Sequence, residues 1–449
     1  MIGSMDYPAK VEEKEMQQST CPTLYDWQIG HAEALISSLL NNGYAKDGSD
    51  TGTGKTFVAL FVAKKLGLVP FVLCPKSVVP GWKHAMELFG HDQLAFNYEK
   101  LIRGNTEYYD GKKWRLNPKK ALVIFDEDHR CKGAKSQNAK MMIAAKTAGL
   151  KILCLGATSC TNPTEMRALG YVLDMHNEKD WWRWALRNGC KRGLWGGLEF
   201  KGSASSLKRL HDHIYKNGVR GSRIKIADLP PGSFPDSIII PEGYDIEGRS
   251  DIDLIYSDLK AELEALEDKK HTDTDNPLVA QLRARQEIEL LKVPLFDELA
   301  RDAYDSGNSV AIFVNFRETM EALLKRLAGL CEIKLVHGGQ SNFGRDMECT
   351  AFQNDVARII ICTIQAGGTG LNLHDVKGNF PRVSLISPTF SAIDFRQCLG
   401  RIHRAGAKST AVQKIIFAEG TVEMRVCKLV RAKLNNLDLI NDDELNPIL

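Results

Sequence analysis

No run of about 18 consecutive apolar residues occurs in the 449 residues, so no segment reads as a membrane-spanning helix. The 11 cysteines include no C-x-x-C pair and are odd in number. That argues against a structural zinc site and against a disulfide framework, and for free thiols in a reducing, cytoplasmic compartment. Internal repeats, low-complexity arrays and a secretory leader are missing too, and Met1–Met5 reads as a tag remnant. There is also almost no net charge, +3 in total. Its distribution is uneven. From Trp181 to Ile226 only Glu199 and Asp212 oppose a long series of lysines and arginines, while acidic residues dominate from Glu242 to Asp275. What is present, 43% hydrophobic and 26% charged residues, is an ordinary globular composition in a chain too long for one core.

The runs "PFVLCP", "ALVIFDE" and "KILCLGAT" are nearly continuous apolar stretches, the pattern of parallel strands covered on both faces. A second series follows in "SVAIFVNF", "EIKLVHG", "RIIICTIQ", "RVSLIS" and "VQKIIF", with helical patterns between the runs. The reading is an α/β protein of two tandem, doubly wound, parallel-sheet lobes with a cleft between them and a short helical linker. The expected boundaries are an N-terminal tail over 1–20, a first lobe over 21–240 with a basic, Trp-rich helical insertion around 178–226, a linker over 241–290 and a second lobe over 291–449.

Between the short strand "YAKD" and the helix "TFVALFVAKKLG" stands "GSDTGTGKT". Gly52, Thr53, Gly54, Lys55 and Thr56 supply backbone N–H groups at a helix N-terminus, an amine for the outer phosphates of a nucleotide and a hydroxyl for magnesium. Ser49 stands where the phosphate-loop pattern has its first glycine. Asp126 and Glu127 close the run "ALVIFDE": Asp126 suits a magnesium ion, and Glu127 suits polarising the attacking water. Far along the chain, "QCLGRIHRAG" puts Arg401 and Arg404 at i and i+3, where guanidinium groups reach a phosphate from a second domain.

With these motifs in this order the sequence resembles a superfamily II helicase, and specifically the Swi/Snf-related helicase-like ATPases, over nearly the whole chain. "LYDWQIGHAEAL" resembles the adenine-reading Q motif with Gln28, "CPKSVVPGWKHAM" motif Ia with Pro75, Lys76 and Trp82, and "DEDHR" motif II. "LGATSCTNPTEM" is similar to motif III, "VAIFVNFRETMEAL" to motif IV, "TIQAGGTGLNL" to motif V, and "GTVEMRVCKLVRAKL" to the family's closing helix. The resemblance implies ATP and Mg2+ as cofactors. Gln28, Gly370 and Gln397 join the phosphate loop in binding nucleotide, and His129, Gly156 and Thr158 couple that site to the rest. Motif II departs from the family's usual D-E-A-H by carrying Asp128 in place of a small residue.

The resemblance further implies a groove that holds one strand by its phosphates, through Pro75, Lys76, Ser77, Asn315, Phe316, Arg317, Gln340, Ser341, Arg345, Thr363 and Gly367. Arg220, Arg223 and Lys225 are added from the basic block, whose tryptophans are read either as stacking platforms or as core. The expected protein is a monomeric DNA-dependent ATPase that translocates on duplex or branched DNA through sequence-independent backbone contacts. The alternatives are a strand-separating DNA or RNA helicase and an ATP-gated nucleic-acid clamp without productive turnover.

Overall fold

The computed structural model describes residues 22–423 apart from 105, 158, 194–195, 217–219, 268–276, 368–370, 390, 420 and 422. Thr158, Gly370, Trp195, the N-terminal tail and most of the expected closing helix lie outside the described residues.

Two six-stranded, all-parallel sheets carry the fold. The first contains β1 (Tyr44–Asp47), β2 (Val69–Cys74), β3 (Ala95–Asn97), β4 (Ala121–Asp126) and β5 (Lys151–Leu155). After an antiparallel hairpin of β6 (Cys190–Arg192) and β7 (Leu198–Phe200), β8 (Gly221–Ser222) completes that sheet in the order β3-β2-β4-β5-β1-β8. Its central strands are buried on both faces, which is why they read as unbroken apolar runs rather than alternating ones. Because β4, β5 and β1 are neighbours, the loops leaving their carboxyl ends meet along one edge. These loops are the acidic pair, "GATS" and the glycine-rich loop. That edge, next to the point where the chain turns from β1 back to β2, is where open α/β sheets take ligands.

The second sheet contains β9 (Ser237–Tyr244), β10 (Ser309–Val314), β11 (Ile333–Val336), β12 (Ile359–Thr363), β13 (Arg382–Ile386) and β14 (Ala411–Ala418), in the order β11-β12-β10-β13-β14-β9. One boundary needs correction. The break expected between Ile240 and Pro241 falls inside β9, which pairs along its whole length with β14 and therefore belongs to the second sheet. Pro241 is tolerated there because β9 is an edge strand with one side free of ladder bonds.

The stretch expected as a helical linker forms helices Arg249–Glu267 and Pro277–Leu291, and the second is bound tightly into the second lobe. Its buried Glu289 accepts the N–H groups of Asn315 and Phe316 and the Thr319 hydroxyl, satisfying the start of helix Arg317–Leu327 from outside it. The basic insertion is not wholly helical, since it contains the β6–β7 hairpin and ends in β8. Trp184 is buried and Trp181 packs against the first-lobe core, so these rings act as core rather than as stacking platforms. The nine described cysteines are free, and all but Cys331 are buried. Among the described residues no helix is long and apolar enough to cross a membrane.

Candidate active site and nucleic-acid cleft

The glycine-rich loop runs from β1 into helix α2 (Lys55–Lys65). Gly52 and Gly54 take left-handed backbone angles, φ +89° and +82°, that a side chain would strain. Helix α1 (Asp26–Asn42) braces the loop from outside. Gln28 Nε2 donates to the Thr53 carbonyl at 2.8 Å, its Oε1 accepts the Tyr25 N–H, and Gln28 is buried. Both ends of the amide proposed to read adenine are thus committed to backbone.

Ser49 turns out to be a fastening. Its hydroxyl accepts the Ile224 N–H at 3.0 Å and lies 3.2 Å from His31 Nε2, while its N–H donates to Asp47. Next to it, Asp50 pairs with Arg223 and accepts the Ile226 N–H. Burial works against the Asp50 charge, but Arg223 and that N–H hold its carboxyl below the ordinary range. The segment after β8 therefore straps the phosphate loop from below.

Lys55 Nζ donates to the Ser49 and Asp50 carbonyls at 2.8 and 2.9 Å. Opposite it stands the acidic pair. Asp126 Oδ1 accepts the Glu127 N–H at 3.0 Å, and Asp126 Oδ2 accepts the Trp82 indole N–H at 2.8 Å. Burial and the charge of Glu127 push the Asp126 carboxyl upward. Burial opposes the Glu127 charge as well, yet the hydrogen bond and charge of His129, followed by Lys55 and Arg401, keep it well below the usual carboxylate range. Glu127 itself has φ +54°, a strained angle for a residue with a side chain, and of the kind found at functional sites.

Asp128 is explained by a residue that sequence reading passed over. Lys46 in β1 is 3.1 Å from Asp128, with both side chains no more than 1% exposed. Lys46 Nζ also donates to the carbonyls of Asp47 and Gly156 at 2.8 and 2.7 Å. Burial disfavours the Lys46 charge, but Asp128, with Tyr215, Cys154 and Asp47 behind it, together outweigh that and raise its pKa. Gly156 is required beside this pair, because a Cβ there would lie 2.3 Å from Asp128 Oδ1.

The second lobe closes over this edge. Gln397, on helix Ala392–Leu399, donates to Glu127 Oε2 at 3.0 Å. The Arg404 backbone lies so near the phosphate loop that a Cβ on Gly52 would come within 3.1 Å of Arg404 Cα, and one on Gly400 within 2.4 Å of Thr51 Cγ2. Arg401 is 2% exposed, donates to the Leu371 carbonyl and is close enough for Asp126 and Glu127 to act on its charge. Burial and then the like charge of Arg401 lower the Arg404 pKa.

A cleft of about 880 Å³ is lined by Pro75, Lys76 and Ser77 from the first lobe and by Arg345 and Thr363 from the second. Asn342 Nδ2 bridges it to the Lys76 carbonyl at 2.6 Å. Lys100, Arg103 and Arg130 also line it, with Glu99 as the one carboxylate among its lining residues. Sequence reading missed these three. The strand that positions Lys100 and Arg103 has only three residues, although "NYEKLIR" following an apolar stretch was the available signal.

Other expected groove residues are not among those lining that cleft. Asn315 turns inward to Glu289 and the Pro388 carbonyl, Arg285 covers the Phe316 ring, and Arg317 pairs with Glu321. Gln340 bonds the Leu335 carbonyl, Ser341 caps helix Asn342–Gln353, and Gly367 ends the turn Ile364–Gly367. Arg223 is spent beneath the phosphate loop and Arg220 on the Leu173 carbonyl, while Lys225 is half-buried on the same strap; none of the three lines the cleft.

Residues 292–406 match the family "Helicase conserved C-terminal domain". The chain is 31% identical over 474 aligned positions, covering 96% of this chain and 86% of the relative, to a protein of Acanthamoeba polyphaga mimivirus provisionally named an ATP-dependent RNA helicase. The ATP-dependent helicase fft3 of Schizosaccharomyces pombe is 23% identical over 34% of this chain and 16% of its own length. A solved structure of the Sulfolobus solfataricus SWI2/SNF2 ATPase core in complex with double-stranded DNA aligns with 95% of this chain and 94% of that one, at 17% identity and a TM-score of 0.37. The chain belongs to the ATP-dependent helicase family of that mimivirus relative and is an ATP-hydrolysing enzyme.

Proposed function

We propose that this enzyme couples ATP hydrolysis to translocation along duplex DNA, and that the basic cleft between the lobes holds one strand by its phosphates. The carrying observation is that this cleft draws cations from both lobes, Lys76, Lys100, Arg103 and Arg130 against Arg345, with Arg130 only three residues after Glu127. Such contacts read backbone and not sequence.

In this reading the nucleotide's phosphates displace the Ser49 and Asp50 carbonyls from Lys55 and take the N–H groups at the start of α2. Thr56 and Asp126 form an all-oxygen donor pair that suits magnesium, and the crowding of Asp126 by Glu127 is relieved by a cation. Magnesium, when bound, neutralises charge on the transferring phosphoryl oxygens. Glu127, ionised and held by His129 and Gln397, orients the attacking water once Gln397 turns to the nucleotide. Arg401 and Arg404 complete the site from the second lobe, so hydrolysis and lobe closure are one event, and alternating grip on the strand yields movement.

A second reading, an RNA helicase, is favoured by the name of the mimivirus relative. ATPase rates measured in parallel with single-stranded DNA, duplex DNA, forked DNA and RNA separate the two. Duplex DNA is expected to stimulate most, with triplex displacement and no fork unwinding, and Lys55→Ala and Glu127→Gln are expected to abolish the stimulated rate. Stimulation by RNA alone would replace this reading with the second. A rate indifferent to every nucleic acid would remove both.

A further inference from the structure

We propose that Trp82 is a positioning residue that relays occupancy of the cleft to the Asp126 carboxylate. This rests on the reading of the cleft as the nucleic-acid groove. Lys76–Val78 form a short turn that lines the cleft through Lys76 and Ser77 and runs directly into helix α3 (Val79–Phe89), with Trp82 in the first turn of α3. The indole is 2% exposed, and its N–H is 2.8 Å from Asp126 Oδ2. The other carboxylate oxygen takes the Glu127 N–H, so two donors fix the plane of the carboxylate, one of them belonging to α3.

At its other end the connection reaches the second lobe, because the Lys76 carbonyl accepts from Asn342 across the cleft. From Val79 to Trp82 is a rise of about 5 Å along a hydrogen-bonded helix, short and stiff enough to carry a shift at the cleft to the indole. Packing alone does not demand the N–H. Ala85, Met86 and Phe89 already seat α3 in the apolar core, and a phenyl ring would fill most of the same space. What only tryptophan adds at this position is a donor aimed at Asp126.

Amide hydrogen exchange on the full chain, with blunt duplex DNA and no nucleotide, tests the relay without turnover. In the wild type DNA is expected to slow exchange at 76–79 and to change it at 124–128. In Trp82→Phe the response at 76–79 is expected to persist and that at 124–128 to vanish. Steady-state kinetics of the same variant are expected to show kcat with DNA reduced on the order of ten- to a hundredfold, with KM for ATP nearly unchanged. An unaltered response at 124–128 in Trp82→Phe overturns the relay while leaving the groove reading intact. No response at 76–79 in the wild type overturns the groove reading and the relay with it. Should Trp82→Phe not fold, benzothienylalanine at position 82, which replaces the N–H by sulfur in the same shape, gives the same two outcomes.

Discussion

Lys46 and Asp128 are a buried ion pair in which each charge is the nearest opposite charge offsetting the burial of the other. Removing one partner from such a pair leaves an uncompensated buried charge and costs about 3–5 kcal/mol, whereas replacing both with apolar groups is often nearly neutral. Lys46→Met and Asp128→Ala are each expected to lower the guanidinium unfolding free energy by about that amount, and the double variant to recover most of it. Additive losses would mean that the two side chains do not compensate each other. The same pair explains Gly156, whose missing Cβ leaves room for the Asp128 carboxylate. Ser49 follows a similar logic, since its hydroxyl fastens the loop to Ile224 and His31.

At the scale of elements, the phosphate loop and the end of helix Ala392–Leu399 approach each other through glycines on both sides. Gly400→Ala would place its Cβ 2.4 Å from Thr51 Cγ2 and 2.8 Å from Thr51 Cβ, a branched side chain with little freedom to yield. The second lobe would then stand off by about 1 Å, and misplacing Arg401 and Arg404 that far costs on the order of a hundredfold in rate. Gly400→Ala is therefore expected to keep a wild-type melting temperature and lose DNA-stimulated hydrolysis in a coupled ATPase assay. Retained hydrolysis would show that the lobes close along another path. Helix Pro277–Leu291 teaches a related lesson, for its period marks a helix while Glu289 makes it part of the second lobe.

For the whole molecule, near-neutral net charge conceals a field concentrated in the cleft. Lys76, Lys100, Arg103, Arg130 and Arg345 face it. Counterion release predicts that log K for duplex DNA falls against log salt with a slope of about −4.5 if these contacts all form. Replacing Lys100 and Arg103 by alanine is expected to flatten that slope by about 2, read by fluorescence anisotropy across a salt series. An unchanged slope would place the strand elsewhere. The basic block from Trp181 onward has the higher charge density in sequence, yet Trp184 sits in the core with Trp181 packed against it, and two of its arginines are consumed by carbonyls and Asp50.

Sequence by itself determined the two parallel sheets and the order of the phosphate loop, acidic pair and arginines, because buried strands and phosphate chemistry leave local patterns of residue type. The edge strand β9 carried no such pattern strong enough to assign it, since a strand with Pro241 near its middle can pair in either lobe until the fold fixes its neighbour. Only the tertiary structure decided that Asp128 answers Lys46, that Arg223 braces the loop, that Asn315 turns inward and that Trp82 touches Asp126. Each of these is a pairing of side chains far apart in the chain. A hydrogen bond or ion pair depends on distance in space, which residue types and spacing do not encode.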